Sequence, residues 1–130
     1  MFDEHLAREL AGLSHDDVAA RCRAWLLSAL TSGTPSEAAL ARAMGLSGRS
    51  LHRRLHAQGT SYRQLLVDTR FALAQRYLSD PARSVTEVTY LLGFSEHSAF
   101  TRAFRRWSGE SPSAFRARHA LPMAGLSRSA

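Results

Sequence analysis

Arginine side chains recur at matching places in two parts of this sequence. Arg53 follows Leu51 by two positions, and Arg102 follows Phe100 by two positions. The guanidinium group is always charged, and its paired N–H donors fit either a phosphate or the O6 and N7 acceptors of guanine. These residues therefore favour recognition of a polyanion, and an ordinary solvated basic surface is the alternative.

Helical periodicity selects the side chains of these two segments that face outward. When Leu51 and Leu55 face the core, the polar residues near the helix start face away from it, and the second segment carries equivalent positions. Arg105, Arg106 and Arg116 suit phosphate contacts, which fix the register without reading sequence. The residues expected to contact base edges are Arg49, Ser50, His52, Arg53, His97, Ser98, Thr101 and Arg102.

The sequence contains no pattern typical of a catalytic site. His52 and His56 are spaced i and i+4, but the glutamate that follows the first histidine in zinc proteases is missing, so no metal is expected there. The stretch 45–50 lacks the spacing, the lysine and the preceding strand of a phosphate-binding loop. Cys22 lies on an apolar helical stripe, as a small buried side chain would. We expect neither an enzyme nor a cofactor.

The first group of candidate residues is positioned by two short predicted helices. Thr34 is the predicted N-cap of a capping box that ends at Glu37. Gly45 can adopt the left-handed conformation of a sharp turn, and Ser47 can cap the helix that follows. Gly59 ends that helix. This order of elements predicts a helix-turn-helix unit, whose second helix is exposed for the DNA major groove.

The second group of candidate residues follows the same pattern. Ser84 and Glu87 form the capping box, Gly93 is the turn, Ser95 is the predicted cap, and Gly109 ends the second helix. No segment alternates apolar and polar residues as a strand would. We therefore expect an all-α chain with two helix-turn-helix units.

Apolar residues at helical spacing predict a separate core for each unit. Trp107 and Phe115 are also expected to be core residues rather than stacking surfaces for bases. The ten predicted core positions are Leu40, Met44, Leu46, Leu51 and Leu55 in the first unit, and Val88, Leu92, Phe94, Phe100 and Phe104 in the second.

The composition limits the class of protein. A chain of 130 residues with 45% hydrophobic residues can bury a core but is too short for a multidomain enzyme. All 17 basic residues are arginine and the formal net charge is +6, which favours nucleic acid over an anionic membrane as the partner. Residues 36–130 carry fourteen arginines against six acidic residues, whereas residues 1–35 carry three against five. The polyanion-binding surface is therefore expected after residue 35.

Cysteine content and hydropathy indicate the compartment. A single cysteine excludes an intrachain disulfide and favours a reducing compartment, so the cytoplasm is expected. No run of apolar residues approaches the roughly 20 that a membrane span needs. Residues 1–4 lack the basic region that begins a signal peptide, so neither export nor a membrane partner is expected.

Several stretches of the second unit resemble a known family. They are LLGFS at 91–95, SAFTRAFRRW at 98–107 and GESPSAFR at 109–116, and SLHRRL at 50–55 and GTSY at 59–62 extend the similarity to the first unit. Together they are similar to AraC/XylS-type transcriptional regulators over residues 16–119. Thr89 departs from the family pattern, which tends to have alanine at this position.

The resemblance implies a DNA-binding domain of seven helices with two helix-turn-helix units joined by a long helix. The stripe of Phe2, Leu6, Leu10 and Leu13 would belong to an N-terminal helical stub or interdomain linker, which could dock on this domain, pair between chains or be the remnant of a missing effector domain. The expected boundaries are 1–15 for this stub, 16–120 for the domain, 34–59 and 84–109 for the two units, 61–79 for the linking helix, 111–120 for a final helix and 121–130 for a flexible tail.

The resemblance also implies a function. Family members usually carry a separate effector-binding or dimerisation domain, and many activate transcription by contacting RNA polymerase. A linking helix of about 20 residues spans roughly 30 Å, close to the ~34 Å between successive major-groove segments on one face of DNA. We therefore expect an activator that binds double-stranded DNA and inserts two helices into an asymmetric operator.

The alternative function is an arginine-rich helical module that binds an acidic protein or a membrane surface. Binding isotherms with specific and scrambled duplexes over a range of salt concentrations separate the two functions, because only phosphate contacts release counterions from DNA.

Overall fold

The computed structural model describes residues 17–119, and every regular element within them is helical. This confirms the expected all-α fold with two helix-turn-helix units. The expectations for residues 1–15 and 121–130, including the apolar stripe from Phe2 to Leu13, lie outside the described residues. The elements are α1 (Val18–Ala29), a 3₁₀ turn (Leu30–Ser32), α2 (Glu37–Ala43), α3 (Gly48–Ala57), α4 (Tyr62–Leu78), α5 (Val85–Leu91), α6 (His97–Ser108) and α7 (Pro112–His119).

The described residues form two compact units. Residues 17–29 and 35–69 belong to unit 1, and residues 30–34 and 70–119 belong to unit 2. The division between them falls inside α4, between Thr69 and Arg70. The short segment 30–34 therefore belongs to unit 2, although it precedes α2 in the sequence.

Unit 1 is built around a core of aliphatic side chains from α1, α2, α3 and the first part of α4. Met44 and Leu46 are partly buried against this core, as predicted. Cys22 is fully buried, and its burial raises the pKa of the thiol. The core residues are Val18, Ala19, Cys22, Leu26, Leu40, Ala41, Leu51, Leu55 and Leu65.

Hydrogen bonds fix both ends of α3 within unit 1. The Oγ of Ser47 accepts a hydrogen bond from the N–H of Ser50 at 3.1 Å, which confirms the predicted cap. At the other end, Gln58 Oε1 accepts from the N–H of Ala19 at 2.8 Å, and Gln58 Nε2 donates to Asp17 Oδ1 at 3.1 Å. The end of α3 is thus tied to the start of α1.

Unit 2 has a core rich in aromatic rings. Phe104 is fully buried, and its ring centroid lies 5.8 Å from those of Phe71 and Phe100, 6.2 Å from Trp107 and 5.3 Å from Phe115. These distances are typical of edge-to-face and tilted aromatic pairs. Val88 and Leu92 are also fully buried, whereas Phe94 is half-buried.

Thr89 also fits inside this core. It is fully buried on α5, and its hydroxyl donates to the carbonyl of Val85 at 3.0 Å. The polar atom is therefore satisfied within its own helix, so the larger side chain leaves no unpaired hydroxyl.

Two of the predicted helix caps are wrong. The N-cap of α2 is Ser36, whose Oγ accepts from the N–H of Ala39 at 3.0 Å, whereas the Thr34 hydroxyl donates to the carbonyl of Gly93. The N-cap of α6 is Glu96 rather than Ser95, and no side chain accepts a hydrogen bond there. The predicted cap Ser84 of α5 is confirmed, and the hydroxyls of Ser61 and Ser111 accept backbone N–H bonds in the same way at the starts of α4 and α7.

The glycine turns of the two units have the same backbone conformation but different surroundings. Gly45 has φ +73° and Gly93 has φ +86°, both in the left-handed region that favours glycine. A Cβ atom at Gly45 would meet no other atom within 4 Å. At Gly93 it would lie 3.0 Å from the carbonyl oxygen of Leu30 and 3.2 Å from the carbonyl carbon of Gly33.

We predict that Gly93→Ala destabilises the protein more than Gly45→Ala does. Each substitution forces a side chain into a left-handed conformation, which costs about 1–2 kcal/mol. Gly93→Ala adds a clash with the backbone of residues 30 and 33. Urea unfolding of both variants measures the difference, and an equal or smaller loss for Gly93→Ala would contradict the prediction.

Candidate nucleic-acid interface

Helix α3 exposes basic and polar side chains along its first turns. Arg49, His52 and Arg53 are exposed, and Ser50 is half-buried with its N–H bonded to the Ser47 cap. On the opposite side, the buried leucines of the predicted core hold the helix against unit 1. The structure therefore brings all four predicted residues of α3 to the start of one helix.

The sequence prediction missed two further residues of α3. Arg54 and His56 are both exposed, next to the predicted positions. The rings of His52 and His56 are nearly parallel, with centroids 6.5 Å apart. Their i and i+4 spacing was visible in the sequence, and it places His56 one turn beyond His52 on the same face.

Helix α6 is the equivalent element of unit 2. His97, Ser98 and Arg102 are exposed, as are Arg105 and Arg106 in the following turn. Phe100 and Phe104 are fully buried on the other side of the helix. Five of the predicted residues thus share the exposed side of α6.

Thr101 is placed differently from the other predicted residues of α6. It is half-buried, and its Oγ1 atom is buried with no hydrogen-bond partner among the described residues. It lies between Phe100, which is fully buried, and Arg102, which is exposed. Since the hydroxyl does not reach the surface, we leave Thr101 out of the interface.

Arg116 is also placed differently from what its sequence position suggested. Its Nε donates to the carbonyl of Leu78 at 3.0 Å, and its Nη2 donates to the carbonyls of Asp80, at 3.3 Å, and Arg83. The guanidinium thus closes the end of α4 and the loop that leads to α5. Its Nε and Nη2 are thus bonded to the backbone, and within residues 17–119 only Nη1 is left for the phosphate contact that the sequence predicted.

The exposed arginines of α3 and α6 lack carboxylate partners within residues 17–119. Ion pairs in this range join Arg83 to Asp80 and Glu87, and Arg118 to Glu110. The hydrogen bond from Arg118 lowers the pKa of the Glu110 carboxyl. The arginines of α3 and α6 take part in none of these pairs, so their charges are free to neutralise an external polyanion.

A groove of about 490 Å³ in unit 2 is lined by Arg76, Tyr77, Asp80 and Arg83, and the Arg83 guanidinium lies 4.8 Å from the centroid of the Tyr77 ring. In the part of the chain that the structure describes, no group of three or more histidine, cysteine or acidic residues could hold a metal ion. No helix among the described residues is long and apolar enough to cross a membrane.

The fold and the two exposed basic helices define a DNA-binding domain with two helix-turn-helix units. A family model described as a helix-turn-helix domain matches residues 40–118. This chain belongs to that family and, as its relatives show, to the AraC type, which comprises DNA-binding domains of transcriptional regulators rather than enzymes.

Two curated relatives illustrate the similarity. The ornithine utilization regulator of Pseudomonas aeruginosa is 44% identical over 91 residues, which cover 70% of this chain and 27% of that protein. The HTH-type transcriptional regulator VirS of Mycobacterium tuberculosis is 40% identical over 88 residues, which cover 68% of this chain and 26% of that protein. The chain therefore spans about a quarter of the length of these relatives.

Solved structures show the same fold. The DNA-binding domain of AdpA, crystallised in complex with a target DNA, superposes with a TM-score of 0.68 at 35% identity, over 77% of this chain and 90% of that chain. The transcriptional regulator CdpR from Pseudomonas aeruginosa superposes with a TM-score of 0.68 at 37% identity, over 77% of this chain and 31% of that chain.

We predict that Arg116→Ala and Arg106→Ala separate stability from binding. Arg116→Ala removes a charged donor from three carbonyls and should lower the free energy of unfolding by about 2–3 kcal/mol. Arg106→Ala removes an exposed side chain and should change it by less than about 0.5 kcal/mol. Urea unfolding measures both, and equal stability of the two variants would contradict the role given to Arg116.

Proposed function

We propose that this chain is the sequence-reading part of a transcription regulator, in which α3 and α6 enter the DNA major groove. The observation that carries the proposal is the set of exposed arginines on both helices that have no carboxylate partner within residues 17–119. The likeness to AdpA, whose DNA-binding domain was crystallised with a target DNA, supports it.

Arg53 and Arg102 are the proposed principal readers of bases. Each lies two positions after a fully buried core residue, Leu51 or Phe100, and each is exposed. A guanidinium at such a position can donate both of its hydrogen bonds to O6 and N7 of a guanine. The proposed supporting contacts to bases come from Arg49, Ser50, His52, His97 and Ser98.

Arg105 and Arg106 are proposed to contact phosphates. They lie in the third turn of α6, away from the helix start that would enter the groove, and both are exposed. Arg54 of α3 is exposed as well and joins them in this role. Contacts of this type fix the orientation of a protein on DNA and add salt-dependent affinity without sequence preference.

The two readers differ in their residues, and we propose that the operator is asymmetric. The start of α3 exposes Arg49 and His52, whereas the start of α6 exposes His97 and Ser98. A symmetric helix-turn-helix dimer reads an approximate palindrome because its two readers are identical. One chain with two different readers should instead bind two unlike major-groove segments.

We further propose that the full-length regulator is an activator that contacts RNA polymerase and carries an effector-binding or dimerisation domain. The transcriptional activator NphR of Rhodococcus is 40% identical over 81 residues, which cover 24% of its length. The urease operon transcriptional activator of Escherichia coli is 35% identical over 77 residues, which cover 26% of its length. The size of both relatives leaves room for such a domain.

Selection of binding sites from a random DNA pool, followed by footprinting and native mass measurement of the complex, tests the proposed function. We expect one chain to protect two adjacent major-groove segments of a non-palindromic site. Protection of a single segment, or a strict need for two chains on a palindrome, would overturn the two-reader proposal. Equal binding to selected and scrambled duplexes would favour an interaction module that recognises acidic surfaces.

We predict that Arg102→Ala relaxes the sequence preference of binding and that Arg106→Ala leaves it unchanged. Loss of a bidentate contact to guanine should cost Arg102→Ala about 1–3 kcal/mol on the selected site and relax the preference at one base pair. Arg106→Ala should weaken binding to selected and random duplexes by the same factor, since phosphates are alike in all sequences. Fluorescence anisotropy titrations measure both, and a uniform loss for Arg102→Ala would refute its assigned role.

A further inference from the structure

The turn of the second helix-turn-helix unit is held by hydrogen bonds from two distant parts of the chain. The Nε of Arg70 on α4 donates to the carbonyl of Leu92 at 2.9 Å, and its guanidinium lies 4.1 Å from the centroid of the Phe94 ring. The hydroxyl of Thr34 donates to the carbonyl of Gly93 at 2.9 Å and accepts from Nη2 of Arg70. We call Thr34 and Arg70 the turn clamp.

The turn of the first unit has a similar local structure, and no side chain within residues 17–119 holds it as Thr34 and Arg70 hold the second turn. The N–H of Leu46 donates to the carbonyl of Ala41 at 2.9 Å, as the N–H of Phe94 donates to that of Thr89 at 3.2 Å. The space around Gly45 is open, whereas the backbone of residues 30–33 lies against Gly93. The additional contacts of the second turn are therefore not required by the turn itself.

The start of α6 needs support that the start of α3 does not. The side chain of Ser47 accepts a hydrogen bond at the N-terminus of α3, but the N-cap of α6, Glu96, makes no such bond. The backbone before α6 is therefore fixed chiefly by the turn at 92–94. Arg70 is only 9% exposed, and a charged group at that burial needs its hydrogen bonds, so loss of a partner is costly.

We propose that Thr34 and Arg70 are positioning residues for α6, which set the direction of the second reader without touching DNA. This inference rests on the proposed function, in which α6 reads bases. Thr34 lies before residue 40, where the match to the family model begins. A residue that precedes the whole first helix-turn-helix unit in sequence therefore controls the specificity of the second unit.

Thr34→Val and Thr34→Ser in the full chain form a matched pair of variants. Valine keeps the shape of threonine but removes the hydroxyl that both donates to Gly93 and accepts from Arg70, whereas serine keeps the hydroxyl. Neither variant changes the net charge, so both should bind nonspecific DNA with the affinity of the wild type.

Amide hydrogen exchange of the free protein is the first measurement. In Thr34→Val we expect the amides of Gly93 and Phe94 to exchange about tenfold faster, since the turn loses a hydrogen bond linked to a charged group. The amides of Gly45 and Leu46 in the first turn should exchange at the wild-type rate in the same sample. Unchanged exchange at residues 93 and 94 would overturn the clamp.

Binding to variants of the selected duplex is the second measurement. For base pairs in the segment protected by α6, Thr34→Val should lower the affinity ratio between the selected and the altered duplex about tenfold. For base pairs in the segment protected by α3, this ratio should stay as in the wild type. Thr34→Ser should discriminate as the wild type does. Equal losses at both segments, or none at either, would overturn the positioning role.

The two measurements distinguish a failure of the proposed function from a failure of the positioning role. If the wild-type protein itself does not discriminate between duplexes, the proposed function fails, and hydrogen exchange alone then decides whether the clamp orders the turn before α6. If discrimination is present and only the exchange changes, the clamp orders the turn but does not position the reader, and the inference is overturned.

Discussion

The rest of the structure depends on the burial of two apolar side chains, one helical turn apart, in α3 and again in α6. Leu51 and Leu55 in α3, and Phe100 and Phe104 in α6, are fully buried. Burial of each such side chain contributes about 1.5–3 kcal/mol of transfer free energy relative to leaving it exposed to water. Their burial therefore sets the rotation of each helix, and the arginine two positions after the first buried residue is left on the exposed face.

Arginine serves two physically different purposes in this chain. On α3 and α6 it is exposed and without a carboxylate partner inside residues 17–119, where its charge can act on an external polyanion. Arg70 and Arg116 instead direct their guanidinium groups at backbone carbonyls and help to hold loops of unit 2. Because the side chain offers five donors in a planar arrangement, one residue can satisfy several carbonyls at once. Residue type alone therefore does not separate binding arginines from structural ones.

The two helix-turn-helix units share a sequence pattern but are stabilised in different ways. Unit 1 fixes the start of α3 locally through the Ser47 cap, and Gln58 ties its end to Asp17 and Ala19 at the start of α1. Unit 2 has an aromatic core around Phe104, and its turn is held by residues far away in the sequence. A change at Arg70 or in segment 30–34 therefore acts on the second turn through contacts that have no counterpart at the first turn within the described part of the chain.

The sequence by itself determined the features that depend on neighbours within about four residues. The buried pairs of α3 and α6 follow from helical periodicity, and the caps at Ser47 and Ser84 follow from side chains that bond three residues ahead. Only the tertiary structure decided which of two cap-forming residues, Thr34 or Ser36, begins α2, because the hydroxyl of Thr34 is used by Gly93, 59 residues away. The same holds for Arg116, whose partners lie 33 to 38 residues before it. No local pattern carries information about such partners, because chain folding brings them together only after the helices pack.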